Sequence, residues 1–242
     1  MKTAICILHY GDAGRTEKLC AALQRGDEDA TILVLDNASP EPFPGAWVRL
    51  PENLYWAGAL AWCLEALEQE GFSHVWFCNN DIMPVSAPPF LKRMQARMEK
   101  LQKSGKVGII SPSFSSNPYH EQMVHRFGGY CVKAVYVDGI APFISLECVR
   151  RVGGVDFGEN IYGYGVDVWL SYRASKSGWG VFVDHSLLFR HHYHTEAVKK
   201  DGFMALAAKA EDNFMRARLG EDWREKLQRF QGLEKWNHEL FN

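Results

Sequence analysis

The chain has 242 residues, 47% of them hydrophobic, enough for one substantial core, so one main domain is expected. A formal net charge of -2 and a sequence pI near 6.5 exclude binding driven by a broad basic surface, so nucleic acid is not an expected partner and any anionic ligand has to be held locally. Six cysteines (Cys6, Cys20, Cys63, Cys78, Cys131, Cys148) form no CxxC pair, which removes zinc-ribbon and thioredoxin-type chemistry and leaves reduced, mostly buried thiols as the expectation.

The N-terminal "MKTAICILHYGD" carries one Lys and an apolar run too brief for a signal-peptide core or a membrane span, so a cytoplasmic location is expected. "AICIL" (4–8) and "TILVL" (31–35) are continuously apolar and predict strands buried on both faces. Between them Leu19 and Leu23 fall at helical spacing, with Thr16 as a plausible cap and Gly26 just past the end. The pattern repeats. Leu60, Leu64 and Leu67 mark a helix ending near Gly71, "HVWFC" (74–78) a strand, Leu91, Met94, Met98 and Leu101 a helix, and "VGIIS" (107–111) a strand. Strands alternating with helices predict an α/β fold with a mainly parallel sheet between helices. From about 112 to 140 the pattern loosens, which predicts a long loop with one or more antiparallel strands.

Polar residues punctuate the strand ends. The second strand closes in "LDNASPEP", placing Asp36 level with Asn80 of "FCNNDIMP", next to Asp81. Asn and Asp favour turns and Pro84 is expected to stop the strand, so each ending alone reads as a turn. Two such ends on parallel strands build a cleft whose acceptors suit sugar hydroxyls, base amides or a divalent cation.

The ordered series "AICILHY", "LVLDNAS", "ENLYWAGALAWCLEAL", "FCNNDIMP", "VDGIAPFISLECVRRVGGVDFGENIYGYGVDVWLSYRASKSGW" and "FRHHYH" resembles the family 2 glycosyltransferases of GT-A fold, of the rhamnosyltransferase-like, polysaccharide-biosynthesis type. It implies a Rossmann-like GT-A domain over 1–195, followed by a C-terminal helical extension, 196–242, packed on the core. The implied activity is metal-dependent, inverting transfer of a hexosyl or deoxyhexosyl group from a UDP-, dTDP- or GDP-sugar to a glycan or lipid-linked acceptor.

By that resemblance Leu8, His9 and Tyr10 flank the nucleotide and Asp36 accepts a hydrogen bond from its base; ordinary packing near a strand end is the lesser alternative for His9 and Tyr10. Asn53 and Gly58 lie near the nucleotide and its sugar, Gly58 through close backbone approach, whereas Trp56 is as readily a packing residue. "NND" takes the place of the family's DXD-type motif, with Asp81 on Mg²⁺ or Mn²⁺ and Asn79 and Asn80 where acidic residues usually stand. His191 is the best match for the family's late histidine at the metal or diphosphate, with His192 and His194 as near substitutes, and Arg190 could offer a fork to phosphate. Alternation on an extended chain sends His191 to one side and His192 and His194 to the other. Asp138 matches an acidic residue near the acceptor, or a turn before Gly139. Asp167 matches the base that deprotonates the acceptor, or a helix cap, and Val166 replaces the Glu usually beside it.

The tail predicts two helices, with Phe203, Leu206, Ala210 and Phe214 on one face and Trp223, Leu227, Phe230 and Leu233 on the next. Its nine Lys or Arg and nine Asp or Glu lack the basic bias of a lipid-bound helix, so docking on the core or in a homodimer is expected. A peripheral encounter with the inner face of a membrane through Trp236 and Phe241 is the minor alternative. Two other functions compete with glycosyl transfer. A nucleotidyltransferase should carry a Gly-rich basic loop after the first strand, and Gly11, Gly14, Arg15 and Lys18 form an unconvincing one. A degenerate nucleotide-sugar-binding protein is suggested by Asn79, Asn80 and Val166.

Overall fold

The structure, a computed structural model, describes residues 1–128, 130–193, 199, 201–233 and 235–236. In chain order the elements are β1 (Thr3–His9), α1 (Ala13–Gly26), β2 (Thr31–Asp36), β3 (Val48–Arg49), α2 (Tyr55–Gln69), β4 (His74–Asn79), β5 (Ile82–Pro84), α3 (Leu91–Gln102), β6 (Val107–Phe114), β7 (Cys131–Ala134), β8 (Phe143–Ser145), α4 (Leu146–Arg151), α5 (Val166–Lys176), β9 (Gly180–His191), α6 (Phe203–Leu219), α7 (Trp223–Leu233) and β10 (Lys235–Trp236).

The strands join in the order β10-β7-β9-β6-β8-β4-β1-β2-β3, with β5 paired to β9 outside that path. The predicted α/β sheet between helices is present, and its pairing is mixed. β3, β2, β1 and β4 run parallel, while β8 lies antiparallel between β4 and β6. β8 was hidden in the sequence because "FIS" is only three residues long, yet Phe143 sits directly beside Trp76 in the register, and both are fully buried. Of the two continuous apolar runs predicted to be covered on both faces, the first is so covered, Ala4 to Ile7 having no exposed surface, whereas in 31–35 only Val34 and Leu35 are buried, Thr31 being exposed and Ile32 and Leu33 partly so, because this strand lies near the sheet edge beside the short β3.

Three local expectations are corrected. The first helix begins at Ala13, not near Thr16: Gly11 turns the chain at φ +88 and Asp12 accepts a hydrogen bond from the Arg15 amide at 3.2 Å as N-cap, which leaves Thr16 in the first turn facing inward. Gly26 is the last helical residue, and Asp27 follows as C-cap. Pro84 is not what stops the 74–79 strand, which already ends at Asn79. It is the last residue of β5, an edge strand on β9, where a residue without N–H is tolerated.

The loosened stretch is partly ordered by β6, which runs on to Phe114, and by β7, antiparallel to β9. On α6 the buried residues are Ala207, Phe214, Met215 and Leu219, whereas Leu206 is 54% exposed; the inward stripe lies one position round from the predicted one. Phe214, Met215 and Leu219 with Trp223 join Ala57, Tyr136, Val166 and Val168 in a second apolar cluster. Among the described residues no helix is long and apolar enough to cross a membrane. The side chains of Leu233 and Trp236, and all of Phe241, lie outside the described residues.

Candidate active site

The parallel register sets the site. His9 lies beside Asp36 and Leu8 beside Asn79, so β1, β2 and β4 end level on one carboxyl edge, where open α/β sheets bind ligands.

At the β1–β2 end the polar side chains are tied to the protein itself. Asp36 has no exposed side-chain surface: one carboxylate oxygen accepts from the Ser39 amide at 2.8 Å, the other from the Phe43 amide at 3.0 Å and Arg49 Nη1 at 2.7 Å. The hydrogen bond to a nucleotide base expected of Asp36 is therefore not offered here; the carboxylate folds the 37–49 loop. His9 is fully buried. Its Nε2 meets the Glu41 carbonyl at 2.7 Å and must carry the proton, so Nδ1, at 2.7 Å from Thr16 Oγ1, accepts. Asn80 turns its amide back onto Thr16 Oγ1 (3.0 Å) and the Tyr10 carbonyl (3.2 Å). Tyr10 itself is partly exposed.

Asn53 acts as a clasp. Its Oδ1 accepts from Asn37 Nδ2 at 2.9 Å and from the Tyr55 amide at 2.7 Å, while the Leu54 amide donates to Asn37 Oδ1. These bonds hold Tyr55 at φ +52, a left-handed conformation that costs a non-Gly residue about 1–2 kcal/mol. Gly58 is small for a local reason: a Cβ there would come within 2.9 Å of Leu54 Cβ.

The β5–β9 pairing, invisible in the sequence, builds the centre. Ile82 pairs with His191 and the His192 amide donates to the Asp81 carbonyl, which brings His191 Nε2 within 3.1 Å of Asp81 Oδ1, with side chains 8% and 15% exposed. Two ligands at right angles on one cation, each ~2.1 Å away, stand ~3 Å apart, so this spacing suits a shared Mg²⁺ or Mn²⁺ as well as a direct hydrogen bond. Nearby, Asn79 Oδ1 and His191 Nδ1 are buried without a hydrogen-bond partner among the described residues, a costly condition unless a ligand supplies one. Among the described residues no three His, Cys, Asp or Glu side chains converge. A cation would thus take a mixed set: Asp81, His191, the Asn79 amide oxygen and ligand oxygens. His192 and Arg190 are exposed, and His194 lies outside the described residues.

Asp167 opens α5. Its Oδ2 accepts from the Gly139 amide at 2.6 Å and its Oδ1 from the Val168 amide at 2.8 Å. Burial, followed by the charge of Asp138, pushes its carboxyl up to about 7, against the pull of those two amides. Asp138 accepts from Asn117 Nδ2 at 2.6 Å. Gly139 is required by packing, since a Cβ there would overlap the Trp56 ring. A cavity of about 10 Å³ beside Asp167, lined also by Trp56, Val137, Gly139 and Ser171, holds a water's volume at most.

Several contributors escaped sequence reasoning. Thr16 and Asn37 act through partners far along the chain. Tyr193 lies 4.0 Å from the His191 ring and donates to the Ser116 carbonyl at 2.8 Å; burial, then Asp138, Tyr119 and Asp81, push its hydroxyl pKa upward. β9 ends at His191 and Tyr193 stands in the turn after it, so strand alternation carried no signal for it.

No known family profile matches the chain. It is 33% identical over 196 residues to the uncharacterized proteins Mb1552 of Mycobacterium bovis and Rv1525 of Mycobacterium tuberculosis, covering 75% of this chain and 70% of each relative. In three dimensions it is similar to GalNAc-T7 solved with UDP, GalNAc and Mn²⁺ (10% identity, TM-score 0.58, 96% of this chain and 56% of that one). It is also similar to Staphylococcus aureus TarS (13%, 0.57, 92% and 44%). A third likeness is to the Pyrobaculum calidifontis mannosyltransferase PcManGT solved with GDP-Man and Mn²⁺ (17%, 0.54, 85% and 59%). The chain therefore belongs to the family of these mycobacterial proteins, and its fold is that of the GT-A glycosyltransferases.

Proposed function

We propose that the protein is an inverting glycosyltransferase that moves a hexosyl or deoxyhexosyl group from a nucleotide-diphosphate sugar to a hydroxyl of a glycan or glycolipid. The observation that carries this reading is the pairing of two different tools at one sheet edge: the Asp81–His191 couple, 3.1 Å apart, and an Asp167 carboxyl raised toward neutrality at the start of α5. The UDP and Mn²⁺ bound to GalNAc-T7 and the GDP-Man and Mn²⁺ bound to PcManGT support a nucleotide sugar with a divalent cation. The family 2, rhamnosyltransferase-like resemblance and the division into 1–195 and a helical extension belong to the same reading.

Asp167 takes the proton of the acceptor hydroxyl as its oxygen attacks the anomeric carbon. The bond from that carbon to the diphosphate breaks on the opposite face, its electron pair leaves with the nucleoside diphosphate, and configuration inverts through an oxocarbenium-like transition state. A base with pKa near the working pH combines a useful deprotonated fraction with adequate basicity. Asp81, His191 and Asn79 would hold the cation, which supplies charge neutralisation for the leaving diphosphate. Asp36, His9, Asn80 and Asn53 shape the loops on which Leu8 and Tyr10 meet the nucleotide.

A thermal-shift panel of UDP-, dTDP- and GDP-sugars with and without Mn²⁺, followed by transfer assays with the responding donor, tests the reading. One nucleotide class should stabilise the protein by about 2.7 kcal/mol at one hundred times its Kd, more tightly with Mn²⁺. Donor binding without transfer or donor hydrolysis sinks the enzyme reading in favour of a binding protein; no response to any nucleotide sugar sinks both.

A further inference from the structure

The inward stripe of α6 runs Ala207, Glu211, Phe214, Met215, Leu219, at steps of four, three, one and four. Four of these residues are buried and apolar; the fifth is a glutamate. A carboxylate on the apolar stripe of a helix is costly unless it has a partner. Among the described residues Glu211 makes no hydrogen bond or ion pair. Burial pushes its carboxyl upward, with Arg224 opposing and Asp212 and Asp138 adding to the rise.

The position of Glu211 is fixed from two sides. Gly165, at φ +79, precedes α5 directly, and a Cβ there would lie 2.9 Å from Met215 Sδ and 3.4 Å from Glu211 Cγ. Gly165 thus admits α6 against the start of α5, two residues from Asp167. At the other end Phe203 stacks on Tyr55 (5.9 Å, 17°) and meets the edge of Tyr162 (5.6 Å, 80°). The helix therefore runs from the clasp at Asn53 to the base, ~12 Å for eight residues. Val166, the position beside Asp167 that lacks an acidic residue, is fully buried against Met215.

We propose that Glu211 is an acceptor-binding residue, and that the acceptor is a sugar ring: one hydroxyl is deprotonated by Asp167 while a second donates to Glu211. The inference rests on the glycosyltransferase reading and adds the residue and the helix that recognise the acceptor. Sugar hydroxyls are donors, a carboxylate accepts from them more strongly than a neutral group does, and two fixed carboxylates orient a ring as one cannot.

The test uses the full chain, the donor identified above and methyl glycosides of hexoses and 6-deoxyhexoses as acceptors. Glu211→Gln keeps the shape and removes the charge. Its acceptor KM should rise about tenfold or more, the effect of losing a hydrogen bond to a charged group, with kcat and calorimetric donor affinity within about twofold and a Tm no lower than the parent's. Glu211→Asp should recover part of the loss. A parent enzyme that transfers, with acceptor KM unaltered in Glu211→Gln, overturns the inference and leaves the transferase reading standing. A parent that binds donor but transfers to no sugar overturns both. If Glu211→Gln does not fold, Glu211→Asp decides by the same KM criterion, since it keeps the charge and shortens its reach.

Discussion

At the β1–β2 end of the sheet edge, His9, Asp36 and Asn80 are committed to Glu41, Thr16, Ser39, Phe43, Arg49 and Tyr10. At the β5–β9 and α5 end, Asn79 and His191 keep buried polar atoms without hydrogen-bond partners among the described residues, and Asp167 bears a carboxyl whose surroundings resist its ionising. The two ends read alike in the sequence, as polar residues after apolar strands. Satisfied groups hold a shape, whereas under-satisfied ones keep capacity for a ligand, so the two ends should answer mutation in opposite currencies: stability at one, binding and turnover at the other.

The largest contrast is expected at Asp167. Asp167→Asn should bind donor almost normally and lower kcat by ~10²–10⁴-fold, the usual contribution of a general base; steady-state kinetics beside donor calorimetry reads it, and transfer at the parental rate removes Asp167 from the base role. Next comes Asp36→Ala, which orphans the buried Ser39 amide, the partly buried Phe43 amide and the Arg49 guanidinium and should lose roughly 2–4 kcal/mol of stability in urea unfolding. Parental stability with weakened nucleoside binding would instead restore the direct base contact.

Asp81→Ala should leave stability near parental and abolish the gain in donor affinity on adding Mn²⁺ or Mg²⁺, while affinity without metal changes little. Identical metal-dependent affinities in variant and parent would move the cation elsewhere. The most gradual effect is a pH slope. The Asp167 carboxyl sits at about 7, above its ordinary 3.8, so between those values the folded state holds a proton that the unfolded state has released. Stability from this group therefore falls as pH rises from about 4 to about 7 and then levels. The Tm of Asp167→Asn relative to parent should climb across that window, and parental transfer should rise with pH through about 7. A gap independent of pH would show that Asp167 titrates as an ordinary surface carboxylate.

Much of the site was legible because its residues sit at strand ends: "LDN", "FCNND" and "RHHYH" each follow an apolar run, and the parallel register aligns the first two. What each residue does was less legible. Asp36 and Asp81 look equivalent as acids after strands, and only the partners distinguish them. Arg49 lies 13 residues from Asp36, and His191 lies 110 residues from Asp81. Glu211 was hidden further, because a glutamate on a helix of the tail reads as surface until Gly165 lets that face approach α5.

The sequence by itself determined the alternation of strands and helices, the first βαβ unit and the edge on which its loops open, because periodicity of apolar residues and turn chemistry are local properties. Tertiary structure alone decided the antiparallel insertion of β8, the β5–β9 pairing that joins Asp81 to His191, and the saturation of Asp36 against the exposure of Asp167 to like charge. Those depend on hydrogen bonds and Coulomb fields between residues far apart in the chain, whose strength is set by distance and burial, and neither quantity exists until the chain has folded.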